Sequence, residues 1–176
     1  MTTRPDPVQP ADAEARDLAL TLLGGANHAA LAYANPATAV PMISRIAFGL
    51  DQGGCPVTLI SSLAAHWPGL KASPLCSVMV GEVGDRGDPL THPRLMVEAR
   101  AEFVAPDDPA RPALRDRWLA AHPKAKLYAD FPDFAFVRLV PQGALLNGGF
   151  GRAFRLTAED LLGQASVRPA QIGPLR

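Results

Sequence analysis

No uninterrupted apolar run in this chain approaches the ~18 residues that a membrane-crossing helix needs, so no helical span is expected. Net charge is missing as well. Seventeen basic residues cancel seventeen acidic ones, and bulk charge therefore points to neither nucleic acid nor an anionic membrane as partner. Cysteine is scarce. Cys55 and Cys76 form no C-x-x-C and no Cys/His cluster, so no metal site is expected. Two reduced cysteines in strands of a cytosolic protein are favoured over a single disulfide. Met1 to Pro10 is polar and proline-rich without an apolar h-region, so no secretory signal is expected and the location reads as cytoplasmic. Lysine occurs only as Lys71, Lys124 and Lys126, against fourteen arginines. With the abundant alanine and proline, that bias reads as GC-rich bacterial coding rather than selection for phosphate. Nucleophile elbow, Walker loop, H-E-x-x-H and a G-x-G-x-x-G opening a helix are all absent.

What is present is the balance of a folded domain. Apolar residues at 48% and charged residues at 19% fit neither a disordered nor a membranous chain. The length of 176 residues argues for one domain, placed at 12–163, with 1–11 and 164–176 as flexible termini.

Asp12 is placed to cap a helix whose stripe is Ala15, Leu18, Ala19, Leu22 and Leu23, closed by Gly24-Gly25. Strands are then expected at His28–Ala34, Val40–Leu50, Cys55–Ser61 and Leu75–Val83, with a turn at Asp51–Gly54 and a short helix over Trp67–Ala72. Residues 84–89 read as loop. Arg94–Val104 alternates strictly, with Leu95, Val97, Ala99, Ala101 and Phe103 on one face. A second helix is expected to open at Asp108-Pro109 and to end at Pro123. Strands follow at Phe131–Val140 and Ala144–Leu156, and Thr157-x-x-Asp160 resembles a capping box. Strands that do not alternate regularly with helices disfavour a doubly wound sheet. The expected fold is mainly β (α+β): a small antiparallel barrel with peripheral helices.

Chemistry concentrates in Leu59–Lys71. A strand ends in Ser61 and Ser62, and a short helix with Lys71 follows; hydroxyls and free N–H groups there suit a phosphate monoester. Ser61 and Ser62 equally suit a turn. Arg45, amid Met42, Ile43, Ile46 and Phe48, is costly unless it is paired or faces a ligand. A phosphate, an internal carboxylate and solvent at a sheet edge all remain open. His66 reads as a ligand donor, a metal ligand or, more often at a strand–helix junction, a structural histidine. Gly148-Gly149-Phe150-Gly151 is a weak phosphate-loop signal, and a bulge explains it equally well.

The residues then carry a resemblance. Ser62-Leu63-Ala64-Ala65-His66, Gly87-Asp88-Pro89-Leu90-Thr91-His92-Pro93-Arg94-Leu95, Ala121–Tyr128, Phe131-Pro132-Asp133-Phe134 and Gly148–Ala153 resemble, in order and spacing, the pyridoxamine 5′-phosphate oxidase-like FMN-binding split-barrel family, and within it the haem-utilisation branch. The resemblance implies a six-stranded antiparallel split β-barrel, a homodimer, and flavin mononucleotide in the groove between subunits. It implies that Arg45, Ser61, Ser62, His66 and Lys71 serve the phosphate, and that Arg152 of the partner chain lies near the flavin. The function implied is that of an FMN-dependent oxidoreductase acting on a small-molecule substrate, with no catalytic side chain evident. The chain has Trp67-Pro68-Gly69 where the family commonly has Thr-x-Asn, and Asn147 about where pyridoxamine phosphate oxidases place a tryptophan. Two rival expectations follow: a haem-binding or haem-utilisation protein, and a non-catalytic binding module that has lost its cofactor.

Overall fold

The computed structural model describes residues 7–162. Expectations for 1–6 and 163–176 lie outside the described residues. Elements run in the order β1 (Val8–Pro10), α1 (Ala13–Gly25), β2 (His28–Ala34), β3 (Pro41–Ala47), β4 (Gly49–Leu50), β5 (Pro56–Ser61), α2 (His66–Ala72), β6 (Leu75–Val80), β7 (Arg94–Phe103), α3 (Arg111–Ala121), β8 (Phe134–Asn147), β9 (Ala153–Thr157) and α4 (Ala158–Leu162). Short 3₁₀ turns sit at Pro89–Thr91 and Pro123–Leu127. None of the described helices is long and apolar enough to cross a membrane.

Six strands form the split barrel, hydrogen-bonded in the order β5-β8-β7-β6-β2-β3 and antiparallel throughout. The sheet is not closed: no ladder joins β3 to β5 among the described residues. The remaining strands extend the sheet. β4 pairs with β5, β9 pairs with the second half of β8, and β1 lies parallel to β9. Residues 8–10 are thus a strand, not part of a loose arm; the unpaired edge of β9 gives their backbone a partner that no local pattern announces.

The period-2 pattern sets which side chains go inside. On β2, Ala29, Leu31 and Tyr33 are buried; they face Val78, Leu95, Val97, Leu139 and Leu146 from the other strands. Each fully buried leucine contributes on the order of 1.5–3 kcal/mol. α1 covers this core with Ala15, Ala19 and Leu23, and its first turn is capped as expected, Asp12 Oδ1 accepting from Ala15 N at 2.8 Å. A second cluster lies on the opposite face of β5 and β8, where Leu114 and Trp118 of α3 pack on Val57, Leu59 and Phe136. The Thr157–Asp160 box also forms, with Asp160 N donating to Thr157 Oγ1 at 3.2 Å and Thr157 N donating to Asp160 Oδ2 at 2.8 Å.

Several boundaries differ from expectation: Val40–Leu50 splits into β3 and β4, and β6 ends at Val80 rather than Val83. The strands expected at Phe131–Val140 and Ala144–Leu156 are instead one long strand, β8, followed by β9 after a glycine turn. Pro141 is tolerated inside β8 because the β7–β8 register jumps there. Glu98 pairs with Gly143 and Ala99 with Pro141, leaving Gln142 as the extra residue of a bulge. α3 begins at Arg111, because Asp108 Oδ1 accepts from Ala110 N at 2.8 Å and closes a turn ahead of the helix. α1 runs through Gly25 and is capped by Ala26.

Candidate functional site

The outward side of the sheet is where ligand-sized space lies. Its cross-strand register aligns Arg45, Ala30, Met79, Met96 and Leu145 in one row running from β3 to β8. The next row is Ile43, Ala32, Ser77, Glu98 and Gly143. Three alanines, Ala30, Ala32 and Ala34, therefore form a low floor along β2 between taller neighbours. Ile43 is 75% exposed and Met79 46%, so large apolar side chains on this face stand uncovered in a single chain.

Two grooves open along that floor. One, of about 340 Å³, is lined by His28, Ala30, Ile43, Arg45, Met79 and Glu82, among others. The other, of about 620 Å³, is lined by Ala32, Ala34, Pro41, Ser77, Glu98 and Gln142, among others. The bulge on β8 is what brings Gln142 to its rim. A third groove, of about 330 Å³, continues from Met79 to Arg94, Met96, Leu145 and Asn147.

Arg45 projects from β3 into the first groove, exposed and without a hydrogen bond or ion pair among the described residues. The other expected phosphate ligands do not line any of these three grooves. Ser61 Oγ donates to Asp133 Oδ2 at 2.6 Å and accepts from Leu63 N at 3.1 Å, which is a turn closure. Ser62 is exposed, and its N–H donates to Asp133 O at 2.7 Å. Lys71 Nζ sits 3.7 Å from the Phe103 ring centroid and 5.5 Å from that of Trp67, so its charge rests on aromatic faces. Arg152 pairs with Glu14 of α1 at 2.9 Å.

His66 opens α2 with its ring edge-on to Tyr33, centroids 5.9 Å apart. Its Nε2 is buried without a partner among the described residues, and burial lowers its pKa. The neighbouring Trp67-Pro68-Gly69 has a packing reason. A Cβ at Gly69 would lie 2.6 Å from Tyr33 Cδ2 and 2.8 Å from Ala34 O, so only glycine lets α2 seat on β2. Both cysteines are free, and burial pushes the Cys55 thiol up to about 12 and Cys76 to about 11, which removes thiolate chemistry near neutral pH.

Sequence reasoning passed over His28, Glu82 and Arg94. Their signal was weak: each is a polar residue at an outward position, where solvent is the ordinary explanation. Only the register shows that they border the same uncovered face as Arg45.

The comparisons with known proteins agree with this architecture. No family model matches the chain. A solved chain 44% identical superposes with a TM-score of 0.78, over 88% of this chain and 99% of its own length. A heme binding protein from Mycobacterium smegmatis is 31% identical with a TM-score of 0.76, over 88% of this chain and 61% of that one. An atypical chloroplastic heme oxygenase, HOZ, from Arabidopsis thaliana is 30% identical over 135 residues, 77% of this chain. This chain spans only 40% of that curated relative. At lower identity the fold alone is shared with HutZ, a heme storage protein of Vibrio cholerae (22%, TM-score 0.65, 80% of this chain and 97% of that one). It is shared too with a Listeria innocua protein assigned as a pyridoxamine 5′-phosphate oxidase (15%, TM-score 0.59, 76% and 98%). The chain has the split-barrel fold of pyridoxamine 5′-phosphate oxidase-like proteins, the fold also seen in the heme proteins above.

Proposed function

We propose that this chain binds flavin mononucleotide on the outward face of its barrel and works as an oxidoreductase on a small-molecule substrate. The observation that carries the reading is Arg45. It is a guanidinium with no partner among the described residues, at the edge of a groove floored by alanine and flanked by Ile43 and Met79. The residues fit such a group. Arg45 offers a forked donor to a phosphate, and the Ala30–Ala32 floor leaves room for a planar ring to lie against the sheet. When bound, flavin supplies hydride or one-electron transfer; the chain supplies orientation, charge and exclusion of water. A second copy placed over Ile43, Met79 and Leu75 would cover the exposed apolar face and complete the groove, which is why a homodimer belongs to the proposal.

Titration with FMN, followed by the visible spectrum and by sedimentation, tests this. Binding lost in Arg45→Ala and retained in Lys71→Met supports it; binding that ignores Arg45 overturns it.

A haem reading is the second, and the names of the relatives favour it. Anionic propionates would suit Arg45 equally. His66 is a poor axial ligand because its Nε2 faces inward. His28, on the groove rim, is the better placed histidine once its Nε2 leaves Glu82 Oε1, 2.9 Å away. A Soret band on adding haem, kept in His66→Ala and altered in His28→Ala, is the expected result for this reading. Uptake of neither cofactor would leave a binding module without one.

A further inference from the structure

We infer that Glu82 is a built-in anion that occupies the His28 end of the Arg45 groove and must be displaced by the anion of an incoming ligand. This rests on the reading of Arg45 as an anion site and adds a residue that sets its affinity.

Glu82 Oε1 lies 2.9 Å from His28 Nε2, and both residues line the same groove as Arg45. The other ring nitrogen of His28 lies 2.7 Å from Asn27 Oδ1. The groove thus holds a guanidinium and, beside it, an imidazole whose Nε2 already faces a carboxylate of the same chain. Arg45 has no partner among the described residues.

The carboxylate and its backbone are held very differently. The Glu82 side chain is 79% exposed, so it can swing away at little cost. The strap that carries it is fixed. Gly81 has φ of 118°, and a Cβ there would lie 2.5 Å from Pro93 O and 2.8 Å from Arg94 Cα. Three residues on, Gly84 N donates to His92 Nδ1 at 3.3 Å, while His92 Nε2 lies 2.9 Å from Arg86 O. A backbone pinned at both ends delivers one mobile negative charge to the groove. Any anion that binds between His28 and Arg45 meets Glu82 as a competitor for His28 and as a like charge beside itself. Ligands with one weakly held negative charge are thereby excluded, and a phosphate monoester is the chemical class with enough charge to win.

The test is titration of the full chain with inorganic phosphate at low ionic strength, followed by NMR shifts of the His28, Arg45 and Glu82 amides. Glu82→Gln, a surface substitution that leaves the strap intact, is expected to tighten phosphate by about three- to tenfold. In a His28→Ala background the same substitution is expected to gain less, because the competition for the imidazole N–H is gone. Unchanged affinity in Glu82→Gln, with Arg45→Ala still weakening phosphate, overturns the role of Glu82 alone. Phosphate binding that ignores Arg45, or no binding by either protein, overturns the anion site and this inference with it.

Discussion

Ser61 Oγ and Asp133 Oδ2 lie 2.6 Å apart, and this contact ties the end of β5 to the segment that leads into β8. A carboxylate already accepting that hydroxyl proton repels a second anion. Ser61 therefore acts on the fold. Ser61→Ala is expected to cost about 1 kcal/mol in urea unfolding while leaving FMN or phosphate affinity within about twofold. A large loss of cofactor affinity with unchanged stability would reverse the assignment.

Gly69 makes a sharper prediction. With Tyr33 Cδ2 at 2.6 Å and Ala34 O at 2.8 Å from any added Cβ, Gly69→Ala has to push α2 away from β2. A loss of about 1–3 kcal/mol is expected, read as a lower urea midpoint. Unchanged stability would mean that α2 does not sit as described.

His66 sets a pH dependence. Burial lowers its pKa from the ordinary value of 6.5, so below that value the unfolded chain binds a proton that the folded chain resists. Its contribution is fully present above pH 6.5 and is lost as pH falls toward the lower folded value. Urea midpoints between pH 5 and pH 7.5 are expected to fall more steeply for the wild type than for His66→Gln. Parallel slopes would show that His66 titrates freely.

The thiols give a simple check. Cys55 at about 12 and Cys76 at about 11 are both protonated and buried at pH 8. A chromogenic disulfide reagent is expected to react with neither in the native protein and with both in urea. Rapid native reaction would indicate local opening around β5 or β6.

Much of the architecture was legible because it is local. The α1 stripe, the Asp12 cap, the alternation of β7 and the Thr157–Asp160 box each depend on residues within a few positions of one another. β8 was not legible as one strand, since Pro141 and Gly143 read as breaks until a bulge absorbs them. The site was harder still. Arg45 stood out as a charge among apolar neighbours, but its companions come from β2, β6 and the strap beyond β6. Register between distant strands decides that grouping, and no single-strand pattern encodes it. The placement of Lys71 was hidden for the same reason. Its aromatic partner Phe103 is remote in sequence, and nothing near Lys71 announces it.

Phe136 and Val137 are joined by one peptide bond, yet one anchors the cluster under α3 and the other the barrel interior. Neither hydrophobic mass can loosen without bending the backbone that supports its neighbour. The protein accordingly has no half that can melt in advance of the other, and a single cooperative transition should take both cores together.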